Sequence, residues 1–227
     1  MKKRLLFIML ALSMLAGTVP VSGHSSVLPV EAASRTTKKK ALQSYRKLLS
    51  KKTVKWSSDY YVPSSDIRFA VCDINNDGIK ELILTYDAAP HMYGWNRIYT
   101  YSKGKAKSLG HFTSVLISKN KNYMEDGYSN CGISRATFYR LTRSGKRKIL
   151  AQFYVADHLP YGVKGQIRKK YSQSDGMYWY YYSFKVNGKS TTYAKCMKTV
   201  NALRKKAKYV NLKYHTNTSL NRRKYIK

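Results

Sequence analysis

The sequence predicts an α+β fold: an antiparallel β-sheet of hairpins with an N-terminal helix and a C-terminal helix. Apolar residues recur at helical spacing near both ends of the chain. Between them, residues 67 to 186 consist mainly of short segments rich in Tyr, Phe, Val, Ile and Thr, separated by turns that contain Gly. Such segments and turns are typical of antiparallel strands.

The helical pattern near the N-terminus covers residues 37 to 49, with Thr36 or Thr37 available as a cap. Its apolar positions are Ala41, Leu42, Tyr45, Leu48 and Leu49. A second helix is predicted from Thr191 to Ala207. We expect a strand from Tyr209 to His215 to follow it, and then a short basic segment from Ser219.

Three predicted turns end in Gly-Lys, at Gly104, Gly145 and Gly188. The pair Asn187-Gly188 is the clearest hairpin signal, because both residue types accept the positive φ that a tight turn needs. The glycines stand 41 and 43 residues apart, close to the length of a propeller blade. The spans between them share no further pattern, so hairpins are the better prediction.

Residues 1 to 32 have the order of a secretory signal peptide, because basic residues 2 to 4 precede an apolar run from Leu5 to Leu15. Val30 and Ala32 occupy the two positions that a signal peptidase recognises, which predicts cleavage after Ala32, with Gly23 as a weaker alternative. The run is shorter than the ~20 residues that span a bilayer. We expect a secreted, extracellular product, either released or held to the cell envelope by noncovalent contacts.

The predicted mature chain, residues 33 to 227, has a suitable length for one domain and contains no Pro/Gly/Ser-rich linker. We therefore predict a single basic α+β domain. The full chain carries 43 Lys and Arg against 11 Asp and Glu. Removal of residues 1 to 32 takes away three basic residues and one acidic residue, which leaves a net charge of about +30.

Basic residues recur along the whole chain rather than in one run, and Lys outnumbers Arg by 30 to 13. Lys is a point charge rather than a bidentate fork. This pattern favours diffuse attraction to polyanions, such as anionic cell-wall polymers, over a specific nucleic-acid site. The 21 tyrosines are typical of strands, and an aromatic surface that stacks on sugars or bases is the alternative.

Cysteine and histidine patterns give little support for a catalytic or zinc site. Cys72, Cys131 and Cys196 allow one disulfide in any of three pairings, or none. Neither His-x-x-x-His nor Cys-x-x-Cys spacing occurs. The histidines after residue 32 are isolated in sequence: His91, His111, His158 and His215. A hydrolase that pairs distant carboxylates across the fold is the enzymatic alternative.

One loop carries specific chemistry, because three carboxylates fall within nine positions in the segment Asp73-Ile-Asn-Asn-Asp-Gly-Ile-Lys-Glu81. Such carboxylates repel one another unless a cation lies between them. Calcium takes about six to eight oxygen ligands, and alternate side chains of a tight loop supply them around a glycine at the sixth position. We expect Asp73, Asn75 and Asp77 to bind calcium through side chains, Ile79 through its backbone carbonyl, and Glu81 as the ninth-position ligand.

The flanks distinguish this loop from an EF-hand, because the twelfth position is Leu84 instead of a bidentate Glu and both flanks have strand-like sequences. The segment resembles the Asp-x-Asn/Asp-x-Asp-Gly-x-x-Asp/Glu loop of FG-GAP and integrin-α-type repeats. That resemblance implies a structural calcium-binding hairpin without catalytic residues. A single copy and Asn75 at the third position depart from those repeats, which argues against a propeller and for a weaker site.

The order of elements also resembles a loosely defined group of uncharacterised exported proteins of Gram-positive bacteria.

The alternative for the loop is an Asx-rich turn that needs no ion. Three functional hypotheses follow from the sequence. They are a secreted noncatalytic module with a structural calcium-binding β-hairpin loop, a cationic Tyr-rich protein that binds cell-wall or other polyanions, and a hydrolase whose site is not visible in the sequence.

Overall fold

The computed structural model describes residues 34–90, 93–118, 123–130 and 132–227. The predicted signal peptide, His91 and Cys131 lie outside the described residues. The described helices are α1 (Arg35–Leu49), α2 (Tyr193–Lys205) and α3 (Ser219–Tyr225), with a 3-10 turn at Ser64–Asp66. The described strands are β1 (Thr53–Lys55), β2 (Tyr61–Pro63), β3 (Arg68–Cys72), β4 (Glu81–Thr85), β5 (Asn96–Ser102), β6 (Lys105–Phe112), β7 (Ser114–Ser118), β8 (Tyr123–Asn130), β9 (Ile133–Leu141), β10 (Arg147–Ala156), β11 (Arg168–Ser172), β12 (Met177–Val186), β13 (Lys189–Ser190) and β14 (His215–Thr216).

The predicted α+β fold with helices at both ends is confirmed, and the hairpins divide between two main sheets. One sheet has five strands in the order β14-β3-β4-β5-β6. The other has seven, in the order β11-β12-β10-β9-β8-β7 with β13 beside β12, and β1 pairs with β2 separately. Every strand pair among the described residues is antiparallel. No helix in this part of the chain is long and apolar enough to cross a membrane.

The core consists of three clusters that tie the helices and sheets together. Tyr45 and Leu49 of α1 are fully buried in the cluster that includes β3 and β4. Cys196 of α2 is buried in the cluster that includes β9, β10 and β12. A middle cluster contains Ile83 of β4 and Ile117 of β7, so it draws on both main sheets. This middle cluster brings the loop after β3 close to the second sheet.

Helix α1 begins at Arg35, two residues before the predicted start. Ser34, rather than the predicted Thr36 or Thr37, is the N-cap, because Ser34 Oγ accepts the Thr37 N–H at 3.2 Å. Basic residues in the last turn complement the helix dipole. The cap sets where α1 begins, and the apolar stripe sets which face of α1 packs on the sheet.

The predicted strand from Tyr209 to His215 is wrong for most of its length. Only His215–Thr216 forms a strand, and Tyr209 makes one isolated bridge with Ser118. The alternating side chains of Val210, Leu212 and Tyr214 pack against the middle cluster. Their burial on one side accounts for the strand-like pattern without a hydrogen-bonded ladder. The basic segment from Ser219 forms α3.

The predicted glycine turns are present. Lys103 and Gly104, between β5 and β6, have φ values of 49° and 78°, and Asn187 and Gly188, between β12 and β13, have 51° and 78°. Positive φ at both central residues is the type I′ hairpin geometry. Gly145, with φ 69°, lies in the turn between β9 and β10. These turns make the β5–β6, β9–β10 and β12–β13 pairs local hairpins.

Candidate functional site

The predicted calcium loop joins β3 to β4, and the last residue of β3, Cys72, pairs with Glu81 at the start of β4. Strands on both sides exclude the helix-loop-helix geometry of an EF-hand. Asn76 and Gly78 have φ values of 53° and 82°, which a tight reversal needs and which Asn and Gly tolerate best. The local sequence therefore suits a compact loop on a hairpin.

Hydrogen bonds within the loop gather the side chains of three predicted ligands. The N–H of Gly78 donates to Asp73 Oδ2 at 2.9 Å, and the N–H of Ile79 donates to Asp77 Oδ1 at 2.7 Å. The N–H of Asp77 donates to Asn75 Oδ1 at 3.1 Å. These contacts turn the side chains of alternate residues toward the loop backbone, as the predicted ligand pattern requires.

Asp73 leaves one oxygen without a partner. Its Oδ1 is buried and accepts no hydrogen bond from protein atoms. A buried polar atom left unsatisfied costs about 1–3 kcal/mol, and more when the group is charged. The arrangement therefore gives the loop a carboxylate oxygen that is free to bind a cation.

Glu81 is the most enclosed of the predicted ligands, with none of its surface exposed. Its Oε2 accepts the N–H of Ile74 at 2.9 Å, and its Oε1 accepts the hydroxyl of Thr100 at 3.0 Å. Burial, with the charges of Asp77 and Asp73, raises the pKa of Glu81 to about 8 against the opposing effect of these hydrogen bonds. Its carboxyl is thus strongly desolvated in the absence of a cation.

Asp77 also lies near another carboxylate of the loop, and it is half-buried. Burial raises the pKa of Asp77, and the charge of Asp73 acts in the same direction. Hydrogen bonds from Ile79 and Asn75, and the charge of Arg143, act in the opposite direction. A cation between these carboxylates would relieve their repulsion.

Two parts of this site have no signal in the local sequence. Tyr45 of α1 is fully buried, and its hydroxyl has no hydrogen-bond partner. Burial raises the pKa of Tyr45, and the charges of Glu81 and Asp77 raise it further. The β9–β10 turn contributes the Thr142 carbonyl, which accepts a long hydrogen bond of 3.4 Å from Asn75 Nδ2. The loop is therefore enclosed by a helix and by a turn of the other main sheet.

The five predicted ligands are placed unequally. Hydrogen bonds to the loop backbone hold the side chains of Asp73, Asn75 and Asp77. Glu81 contacts the same loop through the N–H of Ile74. The side chain of Ile79 packs against the α1 cluster. Within the described residues, no group of three or more His, Cys, Asp or Glu side chains is arranged to hold a metal ion. A calcium ion here would depend on the Asn75 amide oxygen and on backbone carbonyls as well as on carboxylates.

The two buried carboxylates outside the loop that the structure describes, Glu125 and Asp126, are paired with cations. Glu125 forms an ion pair with Arg204 and accepts the hydroxyl of Tyr209 at 2.9 Å. Asp126 lies 3.3 Å from Arg135. Glu125 and Asp126 are neighbours on β8, so their side chains point to opposite faces of the sheet. They do not form the facing pair that the hydrolase hypothesis requires.

Cys196 is a buried free thiol whose Sγ–H donates to the Gln152 carbonyl at 3.3 Å. Burial raises its pKa, against the opposing effect of its hydrogen bonds to backbone carbonyls. The two pairings that the sequence allows for Cys196 are therefore absent from this structure. Cys131, which the third pairing needs, lies outside the described residues.

Comparison with family models, with curated proteins and with solved structures gives no match for this chain. The functional argument therefore depends on the site itself.

Proposed function

We propose that this chain is a secreted, noncatalytic module whose Asp73–Glu81 loop binds calcium as a structural ion. One observation carries the proposal: the N–H of Gly78 holds one oxygen of Asp73 and leaves the other buried and without a partner. The raised pKa values of Glu81 and Asp77 support it, because both reflect burial of a carboxyl group close to other carboxylates of the loop. The resemblance to FG-GAP-type loops points to the same ion.

The site should be weak by the standards of calcium-binding proteins. Asn75 supplies a neutral amide where many such loops have a carboxylate, and the chain has a formal net charge of +32. Both features reduce attraction for a cation. A dissociation constant on the order of 0.1–1 mM, as in extracellular modules, is expected.

Thermal unfolding with and without calcium tests the proposal. Binding to the folded state alone stabilises it by about 1.4 kcal/mol at a tenfold excess over the dissociation constant. For a chain of this length, that corresponds to a rise in melting temperature of roughly 3–6 °C. Magnesium should have a smaller effect because it requires a smaller octahedral cage. A melting curve that does not respond to several millimolar calcium would leave the loop as an Asx turn.

Export is a separate part of the proposal, and it is supported by residues 1 to 32. The secreted chain should begin near Ala33. Intact mass of the protein recovered from culture supernatant measures this directly. A mass that retains residues 1 to 30 would contradict signal cleavage.

Attraction to polyanions is a second candidate function. Strand β11 supports it, because Arg168, Lys169 and Lys170 are all exposed, and Lys169 Nζ lies 4.1 Å from the ring centroid of Tyr178. Binding to anionic polymers such as heparin or teichoic acid should weaken steeply as salt rises. An affinity that is the same at low and high salt would contradict this function.

A further inference from the structure

A groove runs between α1, the β1–β2 segment and strands β5 and β6. Its wider part is a cavity of about 970 Å³, and its narrower part, toward the β5–β6 turn, has about 610 Å³. Leu48, Lys51 and Ala106 line both parts, so they form one surface, called here the α1–β6 groove. The N–H of Ala106 donates to Ser44 Oγ at 2.7 Å, which holds the helix against the strand.

The groove is lined by cations. Seven basic side chains contribute to its two parts: Lys40, Lys47, Lys51, Lys52, Lys55, Arg97 and Lys105. Among the described residues, no Asp or Glu lines either part. Asp59 is adjacent in sequence to the rim, where it accepts the hydroxyls of Ser57 and Ser58. Like charges held around one concave surface focus a positive potential into it.

Arg97 is the most enclosed of these cations, and its guanidinium lies over the ring of Tyr99, with 6.0 Å between Cζ and the ring centroid. Its Nη2 donates to Ser108 Oγ at 3.0 Å, while its buried Nε–H meets no acceptor. None of the ion pairs in the described part of the chain involves Arg97. A guanidinium presents a fork of N–H donors that matches a carboxylate, sulfate or phosphate group. Arg97 therefore offers a partly enclosed anion contact among exposed lysines.

His111 faces Arg97 across the β5–β6 strand pair, and nearby positive charges affect its pKa. Burial lowers the pKa of His111, and the charges of Arg97, Arg147 and Arg135 lower it further, against the opposing effect of Asp126. The positive charges outnumber the negative one at this position. This agrees with a groove that attracts anions.

The aromatic residues of the groove favour a sugar over a series of nucleic-acid bases. Tyr61 is 54% exposed, and Lys55 Nζ lies 5.9 Å from its ring centroid. Tyr93 is already stacked on Tyr60 at 5.2 Å, and Tyr99 is only 6% exposed. Single-stranded nucleic acids require successive open aromatic platforms. Tyr101, in the narrower part of the groove, is half-buried. Tyr61 is thus the exposed ring beside the cations, and it fits the apolar face of one sugar whose neighbours carry charge.

We propose that the α1–β6 groove binds an anionic polysaccharide, whose charged groups pair with Arg97 and the lysines while one sugar ring packs on Tyr61. The inference rests on the polyanion attraction described above as the second candidate function. It goes further because it places one specific polymer site in this groove, apart from the exposed cations of β11.

Two variants of equal charge test this assignment. Lys51→Gln/Lys52→Gln/Lys55→Gln removes three cations from the groove, and Lys189→Gln/Lys195→Gln/Lys198→Gln removes three exposed cations from β13 and α2. Affinity for fluorescently labelled heparin is measured at about 0.15 M salt. The groove variant should bind at least about tenfold more weakly and the control less than about threefold. All six positions are exposed, so both variants should melt like the wild type.

The experiment distinguishes failure of the groove assignment from failure of polyanion binding as a whole. Equal losses in both variants would overturn the groove and leave diffuse attraction intact. Absence of salt-dependent heparin binding by the wild type would overturn both ideas.

Tyr61→Ala separates a sugar contact from charge alone. The variant should bind heparin several-fold more weakly, and inorganic polyphosphate, which has no ring to stack, as well as the wild type does. Equal losses for the two polymers would overturn the sugar contact. A short oligothymidine that binds more tightly than heparin, and loses its affinity in the groove variant, would assign the groove to single-stranded nucleic acid instead.

Discussion

The N–H of Gly78 donates to Asp73 Oδ2 at 2.9 Å, and the same carboxylate keeps its other oxygen buried without a hydrogen bond. The two residues stand at the first and sixth positions of the loop. The bond needs the turn that Gly78 makes at φ 82°, which costs most other residue types conformational strain. The backbone turn at Gly78 thus holds the Asp73 carboxylate in place, and a cation would satisfy the unpaired Oδ1 of that carboxylate.

Asp73→Asn should abolish the calcium-dependent rise in melting temperature, because it removes the charge on that oxygen while preserving the side-chain shape. In calcium-free buffer the variant should melt at or slightly above the wild-type temperature, since it also removes repulsion from Asp77 and Glu81. The measurement is differential scanning calorimetry at zero and several millimolar calcium.

Asp66→Asn is the matched control, because Asp66 is exposed and its Oδ1 accepts only a neighbouring Ser65 hydroxyl at 2.8 Å. It should keep the full calcium response. Asp126, a carboxylate outside the loop, is a poor control because it is 2% exposed and paired with Arg135. A full calcium response in Asp73→Asn would remove the loop as the binding site.

Glu81→Gln should change how stability depends on pH. The folded pKa of Glu81 is about 8 and its ordinary value is 4.5, so between these values the folded chain holds a proton that the unfolded chain has released. Without calcium, this group therefore contributes stability that is lost as pH rises from about 4.5 to about 8. Gln does not titrate, so the variant should show a flatter profile. Urea unfolding at several pH values in EDTA measures it, and parallel profiles would contradict the assignment.

Gly94→Ala should destabilise the fold by about 2–4 kcal/mol, through a steric clash as well as backbone strain. A Cβ at Gly94 would lie 2.6 Å from the Phe112 carbonyl oxygen, and φ there is 65°. Gly104→Ala is the matched control, since its φ is 78° and nothing lies within 4 Å of its Cβ position. The control should cost only about 1 kcal/mol. Equal free energies of unfolding would show that the close contact at Gly94 is not the cause.

Occupation of the α1–β6 groove should raise the pKa of His111. That pKa is held low by burial and by the charges of Arg97, Arg147 and Arg135, and a bound polyanion would offset those charges. NMR titration of the histidine side chains with and without a short heparin fragment measures the effect. His215 is the internal control, because β14 and β6 are opposite edges of the five-stranded sheet. Identical His111 titrations at saturating ligand would place the ligand elsewhere.

Local patterns in the sequence predicted much of the fold. The helical stripe of α1, the Asn187-Gly188 turn and the hairpin around Gly78 each depend on residues within a few positions of one another. Such patterns report propensity and which face is apolar. They failed at Tyr209–His215, because the alternation of Val210, Leu212 and Tyr214 shows burial on one side and not a partner strand.

The loop was therefore predictable as a loop, with its inward side chains and its glycine turn. Its enclosure was not. The hydroxyl of Thr100 donates to Glu81, 19 residues away in sequence. Tyr45 of α1 lies near the loop carboxylates, and its buried hydroxyl has no hydrogen-bond partner. These contacts depend on strand order and on which helix covers which sheet. Neither can be predicted from the spacing of these residues in the sequence.

The sequence by itself determined the fold class, the turns, the high positive charge and the oxygen-rich loop, because each is a property of composition or of neighbours along the chain. Only the tertiary structure decided that Asp73 retains an unpaired oxygen. It alone also brought Arg97 and Tyr61 together with the lysines that follow α1 in one groove. Contacts between distant segments are set by sheet topology and core packing, and many alternative arrangements would satisfy the same local pattern.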